Sequence, residues 1–170
     1  WINYLGVLLQ LGAFLVFIKI LKPHFRVFFF SLKSIEKGIY GFALFSLALK
    51  IGIQLVVLVP GLDQVSHQVR NFVIGYIHLT MLGIITGFLF GFLLQNNFIN
   101  GKSKWVNWGL KLFLVGFIST EILLFVQGGY FFFDKGPLPM YQELLFTASI
   151  GLPIGILMLI IQKIVYKSKF

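Results

Sequence analysis

The sequence predicts an all-α fold, a polytopic transmembrane helical bundle of five spans in one domain covering residues 1–170. Three observations carry that expectation. Apolar residues make up 58% of the chain and charged residues 11%, with a mean hydropathy of +0.94. That is more apolar surface than a soluble domain of this size can hide, whereas a bilayer hides it readily. Five runs also reach the twenty or so apolar residues that a helix needs to cross the hydrocarbon layer. Finally, basic residues alternate between successive connections, as a chain crossing back and forth requires.

The first span covers 2–21, carries Gln10 in its interior, and is punctuated by Pro23. Next comes "HFRVFFFSLKSIEKG" (24–38), which mixes aromatics with cations. It reads as an interfacial helix on the cytoplasmic face or as an early start of the second span. That span, 38–59, carries Ser46, Lys50 and Gln54 on one helix face and is closed by Pro60-Gly61. The third, 71–94, holds His78 together with Gly75, Gly83, Gly87 and Gly91 in one register of four. After the turn-rich "NNFINGKSK" (96–104), the fourth span runs over 105–127 with Lys111 and Glu121. "DKGPLPMY" (134–141) separates it from the fifth, 142–165, where Pro153 within "GLPIG" (151–155) predicts a kink.

Orientation follows from the cations. The first connection holds Lys22, Arg26, Lys33 and Lys37, the third Lys102 and Lys104, and the tail Lys163, Lys167 and Lys169. The second has Arg70 with Asp63, and the fourth Lys135 with Asp134 and Glu143. This places the N-terminus outside and the C-terminus in the cytoplasm. The net charge of +9 would suggest nucleic acid in a soluble protein. Here it belongs to cytoplasmic loops, so the expected partners are the lipid bilayer and further membrane helices, with no nucleic acid. The chain contains no cysteine, which excludes disulfides, thiolate metal sites and covalently attached haem. It opens at Trp1, and we expect it to be the C-terminal part of a longer protein with further helices upstream.

Ionisable groups inside a membrane are costly and usually face a bundle interior. At 1.5 Å per residue His78 lies about 10 Å in from the outer boundary, and Glu121 about 24 Å from the inner one, a similar height. Gln54 reaches that layer, Gln10 is slightly deeper, and Lys50 sits near the midplane. Lys50 wants a carboxylate, and Glu121 is the transmembrane carboxylate available, so an ion pair between them is the economical expectation. Lys111 can snorkel to the headgroups. Gly83, Gly87 and Gly91 form a small-xxx-small face for another helix, while Gly75 and Gly83 leave bare backbone on either side of His78. Three roles compete for His78: a hydrogen-bonded neutral imidazole, a proton relay with Glu121, or a haem or metal ligand.

The stretch "RNFVIGYIHLTMLG" (Arg70 to Gly83) resembles the tenth helix of haem–copper-oxidase subunit I-like proteins, nearest to short divergent versions of Bacteroidetes type. In the true oxidases that helix carries His-x-His, the first ligating the high-spin haem and the second the low-spin haem. Tyr76 stands in the first place and His78 in the second. The resemblance therefore implies a low-spin haem ligand at His78, and Tyr76 argues against a high-spin haem and copper centre. It further implies a respiratory assembly in a bacterial inner membrane, with the five spans completing a twelve-helix protein. The alternatives are an inert scaffold subunit and a proton-coupled transporter built on Lys50, Glu121 and His78.

Overall fold

The computed structural model describes residues 2–56, 58 and 70–167. These form five helices: α1 Ile2–Ser31, α2 Ser34–Val56, α3 Arg70–Gln95, α4 Lys104–Phe132 and α5 Tyr141–Lys167. All five are long and apolar enough to cross a membrane, and no strand occurs among the described residues. The Pro60-Gly61 turn, Asp63 and the expected end of the second span at residue 59 lie outside the described residues.

Three boundaries differ from the sequence reading by four residues or more; one is the end of α4, which runs to Phe132, five residues past the expected 127. Pro23 does not end the first helix: α1 runs ten residues past the expected boundary at 21, to Ser31, with Pro23 inside it. A proline removes a single N–H from the helical ladder. Aromatic contacts support the extension: Phe25 stacks on Phe29 at 4.9 Å between centroids, and Phe28 meets Tyr40 of α2 edge-on at 5.6 Å. The break falls instead at Leu32–Lys33, and α2 starts at Ser34, before the expected 38. There Glu36 accepts the Lys33 backbone N–H at 2.9 Å, which satisfies a donor left free at the helix start. In α5, Pro153 lies within a helix that continues from Tyr141 to Lys167.

Close glycine contacts hold the bundle together. On α4 and α5, a Cβ at Gly109 would come within 2.9 Å of the Gly155 carbonyl oxygen, and one at Gly151 within 3.2 Å of Gly116 Cα. The two backbones therefore touch directly, and "GLPIG" supplies the α5 side of this seam. The α2–α3 seam uses Gly83, Gly87 and Gly91 against Ser46, Ala43 and Tyr40 in turn, as a small-xxx-small face allows. At one end, Phe90, Leu94, Val106, Leu110, Phe113 and Leu159 form a buried apolar cluster with Ile39. Tyr40 Oη donates to Gln95 Oε1 there at 2.8 Å. At the opposite end Asn71 Nδ2 donates to Tyr141 Oη at 2.8 Å, tying α3 to α5.

The outward faces are apolar, among them Leu9 of α1, Phe45 of α2, Ile118 and Ile122 of α4, and Ile161 of α5. α1 is the least enclosed helix, packing chiefly on α2.

Candidate functional site

The middle of α3 departs from α-helical geometry. From Leu79 to Thr86, directly after His78, it is a π-helix. Its i→i+5 ladder widens the turn, which brings Gly83 closer to the helix face of His78 than an α-helix would. Two threonine hydroxyls take carbonyls along this stretch: Thr80 Oγ1 donates to Tyr76 O, and Thr86 Oγ1 to Met81 O, both at 2.9 Å. π segments are uncommon and concentrate at functional sites. No periodicity in "LTMLGIIT" announces it.

One face of α4 runs along this part of α3. Phe117, Glu121 and Phe125, four residues apart, meet Gly83, His78 and Gly75. A Cβ on Gly83 would lie 2.8 Å from Ser46 Oγ and 3.1 Å from Phe117 Cζ. One on Gly75 would lie 3.3 Å from Phe125 Cε2 and 3.5 Å from Glu121 Oε2. The flat groups occupying the glycine gaps on either side of His78 are thus the Phe117 and Phe125 rings. One turn nearer the Asn71 end, Gly128 of α4 receives the Phe72 ring.

Between those rings His78 Nδ1 faces Glu121 Oε1 at 3.8 Å. That is an ion-pair separation, longer than a hydrogen bond. Nδ1 and both Glu121 carboxyl oxygens are buried without a hydrogen-bond partner. Glu121 itself is only 8% exposed, while the His78 side chain is 37% exposed. Since Nδ1 is buried, that exposure belongs to the rest of the ring. The imidazole therefore shows one edge to a carboxylate inside the bundle and another to the bundle's outer surface.

The expected Lys50–Glu121 ion pair does not form. Lys50 Nζ lies over the Tyr76 ring, 5.5 Å from its centroid, and Glu121 faces His78 instead. The π-helical stretch and the α2–α3 register set this outcome. With Ser46 at Gly83, Lys50 falls opposite the Tyr76 turn, where an aromatic face can hold a cation. Gln54 lies one turn further along α2, its Oε1 buried and unpartnered. Gln10 is half-buried on α1. The structure thus brings His78 and Gly75 to Glu121, packs Gly83 on Ser46 and Phe117, sets Lys50 on Tyr76, and leaves Gln10 on the loosely packed helix. Lys111 Nζ sits over Trp108 at 5.5 Å, exposed near the start of α4, as snorkelling implies.

Sequence reasoning missed Phe117 and Phe125; it placed Ser46 on the Lys50 face of α2 but not against Gly83. Phe117 and Phe125 stand four before and four after Glu121, a spacing that marks one helix face. What identifies that face as the one toward His78 is the packing. Among the described residues no three His, Cys, Asp or Glu side chains gather to hold a metal ion. A single imidazole backed by a carboxylate suits one axial position on a larger group.

These features define an all-helical bundle with membrane-length apolar helices and a carboxylate-backed histidine beside a π-helical turn. Comparison with family models, curated proteins and solved structures finds no match.

Proposed function

We propose that the chain is a multi-pass subunit of a bacterial inner membrane, N-terminus outside, in which His78 serves as an axial ligand of a low-spin haem. The observation that carries this reading is the divided imidazole: Nδ1 turned to Glu121 and the rest of the ring accessible. Ligating histidines commonly direct their second nitrogen at a carboxylate, which fixes the tautomer and raises ligand basicity. Glu121 is the carboxylate placed for that role, and closing the 3.8 Å gap to hydrogen-bond distance on ligand binding would fill it. Because the Phe117 and Phe125 rings fill the glycine gaps, the group would be met at the outward edge of His78. A bound haem supplies one-electron transfer. The chain contributes the ligand, its orientation and the charge beside it. The resemblance of Arg70–Gly83 to the oxidase helix points the same way.

The test is an absorption spectrum of the protein purified from membranes. A Soret band lost in His78→Ala, and retained with a shifted potential in Glu121→Gln, is the expected result. A colourless protein overturns the proposal.

A second reading rests on a separate observation, the three unpartnered buried atoms Nδ1, Oε1 and Oε2. Such a pair can exchange a proton, as transporters with intramembrane carboxylates do. Proton-coupled uptake in proteoliposomes, abolished by Glu121→Gln in a colourless protein, would establish it. A colourless protein without uptake leaves the scaffold role.

A further inference from the structure

At the lysine-rich end of the bundle, a cavity of about 510 Å³ opens between the start of α2, the α3–α4 connection and the first turns of α4. Its wall is apolar, formed by Ile39, Leu110 and Leu114, and its rim carries Lys33, Lys102 and Lys111. No carboxylate lines it. Gly38 lines it with space to spare: a Cβ there would meet nothing within 4 Å. Lys33 is engaged already, its Nζ 3.4 Å from Glu36 Oε1 and 3.1 Å from Asn97 Oδ1. Lys111 rests over Trp108. Lys102 is exposed, and its backbone N–H bonds Asn100 Oδ1 at 3.1 Å.

We infer that this cavity binds one anionic phospholipid of the adjoining leaflet, an acyl chain against Ile39, Leu110 and Leu114 and the phosphate among the lysines. Two features select that occupant. The cations sit at the rim and the hydrocarbon inside, the order in which a phospholipid presents phosphate and chain at a membrane surface. The lining also lacks negative charge, so a zwitterionic lipid's cationic headgroup finds no partner. Basic pockets between membrane helices hold anionic headgroups in this manner. Exposed Lys104 on this side attracts anionic lipid diffusely, whereas the cavity holds one molecule by shape as well.

The test uses the full chain in nanodiscs of phosphatidylcholine containing phosphatidylglycerol, released into native mass spectrometry. Wild type should retain one phosphatidylglycerol in strong preference to phosphatidylcholine. Lys102→Gln/Lys111→Gln should lower that retention by about twenty-five-fold, at roughly fivefold per lysine near an anionic surface. Gly38→Leu fills the cavity without touching a lysine and should lower it equally. Circular dichroism of each variant confirms the helical bundle. Loss in the lysine variant with full retention in Gly38→Leu would mean diffuse surface attraction and overturn the site. Loss in Gly38→Leu alone would mean an apolar crevice without headgroup selection and overturn it too. Excess inorganic phosphate should not displace the lipid; displacement would show that the acyl chain contributes nothing.

Discussion

Moving the side-chain bulk at one contact of the α2–α3 seam from Ser46 to Gly83 tests whether the π-helical turn is set by contact with α2. A Cβ on Gly83 would sit 2.8 Å from Ser46 Oγ and 2.9 Å from Ser46 Cβ. The Ser46 Cβ is fixed by its own helix, so Gly83→Ala must push the helices apart or distort the π turn. Overpacking of this kind costs about 1–3 kcal/mol. Ser46→Gly alone should cost about 0.5 kcal/mol through helix propensity. In the double variant the Ser46 hydroxymethyl is gone, a methyl stands on the facing helix instead, and the clash is relieved. Its cost should therefore fall near that of Ser46→Gly, leaving a coupling of about 1–2 kcal/mol, roughly tenfold in the folded-to-unfolded ratio. Reversible unfolding in mixed micelles, followed by circular dichroism, measures each corner of the cycle. Gly52→Ala is the control on the same helix: a Cβ there meets nothing within 4 Å, so the change should be neutral or stabilising by up to about 1 kcal/mol. Strict additivity of Gly83→Ala and Ser46→Gly would refute the contact. A larger side chain carries the same argument to the site. Gly83→Leu should disturb the surroundings of His78 nearly as much as His78→Ala, whereas Ile84→Leu should be mild.

The remaining expectations concern charge, topology and a connection. His78 and Glu121 should couple in a double-mutant cycle read by the same unfolding assay, while Lys50→Met and Glu121→Gln should be additive; coupling of the second pair would mean that Lys50 reaches the carboxylate. The chain has no cysteine of its own, so single cysteines at Lys102 and Lys135 are clean reporters. An impermeant maleimide should label Lys102→Cys only from the cytoplasmic side and Lys135→Cys only from outside, and the reverse pattern would overturn the orientation. Gln127, 1% exposed, accepts the Leu138 N–H at 2.8 Å. Gln127→Leu should destabilise the protein by about 1–3 kcal/mol, the cost of a buried donor left unpaired, and an unchanged unfolding midpoint would contradict this.

The five helices and the alternation of charge were legible in the sequence. Hydropathy is summed along the chain and needs no knowledge of which faces meet. That Gly83, Gly87 and Gly91 form one helix-packing face was legible for a related reason, since a spacing of four marks one face; that the partner is α2 was not. What the chain order could not convey is which face meets which. Lys50 and Glu121 looked like partners because each was the other's nearest opposite charge by depth. The α2–α3 register instead set Lys50 over Tyr76, and α4 turned Glu121 toward His78. Pro23 misled for a different reason. Its missing N–H is a local signal, and local signals yield to packing: the aromatic contacts of Phe25 and Phe28 carried α1 through to Ser31. The π turn after His78 is likewise a tertiary decision. A widened ladder relaxes to an α-helix unless neighbours hold it, and here Ser46 and Phe117 close on Gly83 within the π-helical stretch. Composition and spacing determined that the chain is a bundle of membrane-length helices with a histidine in its third. Only the contact of α3 with α2 and α4 decided that this histidine has a carboxylate at one edge and open surface at the other, because side-chain partners are chosen by register and rotation between helices.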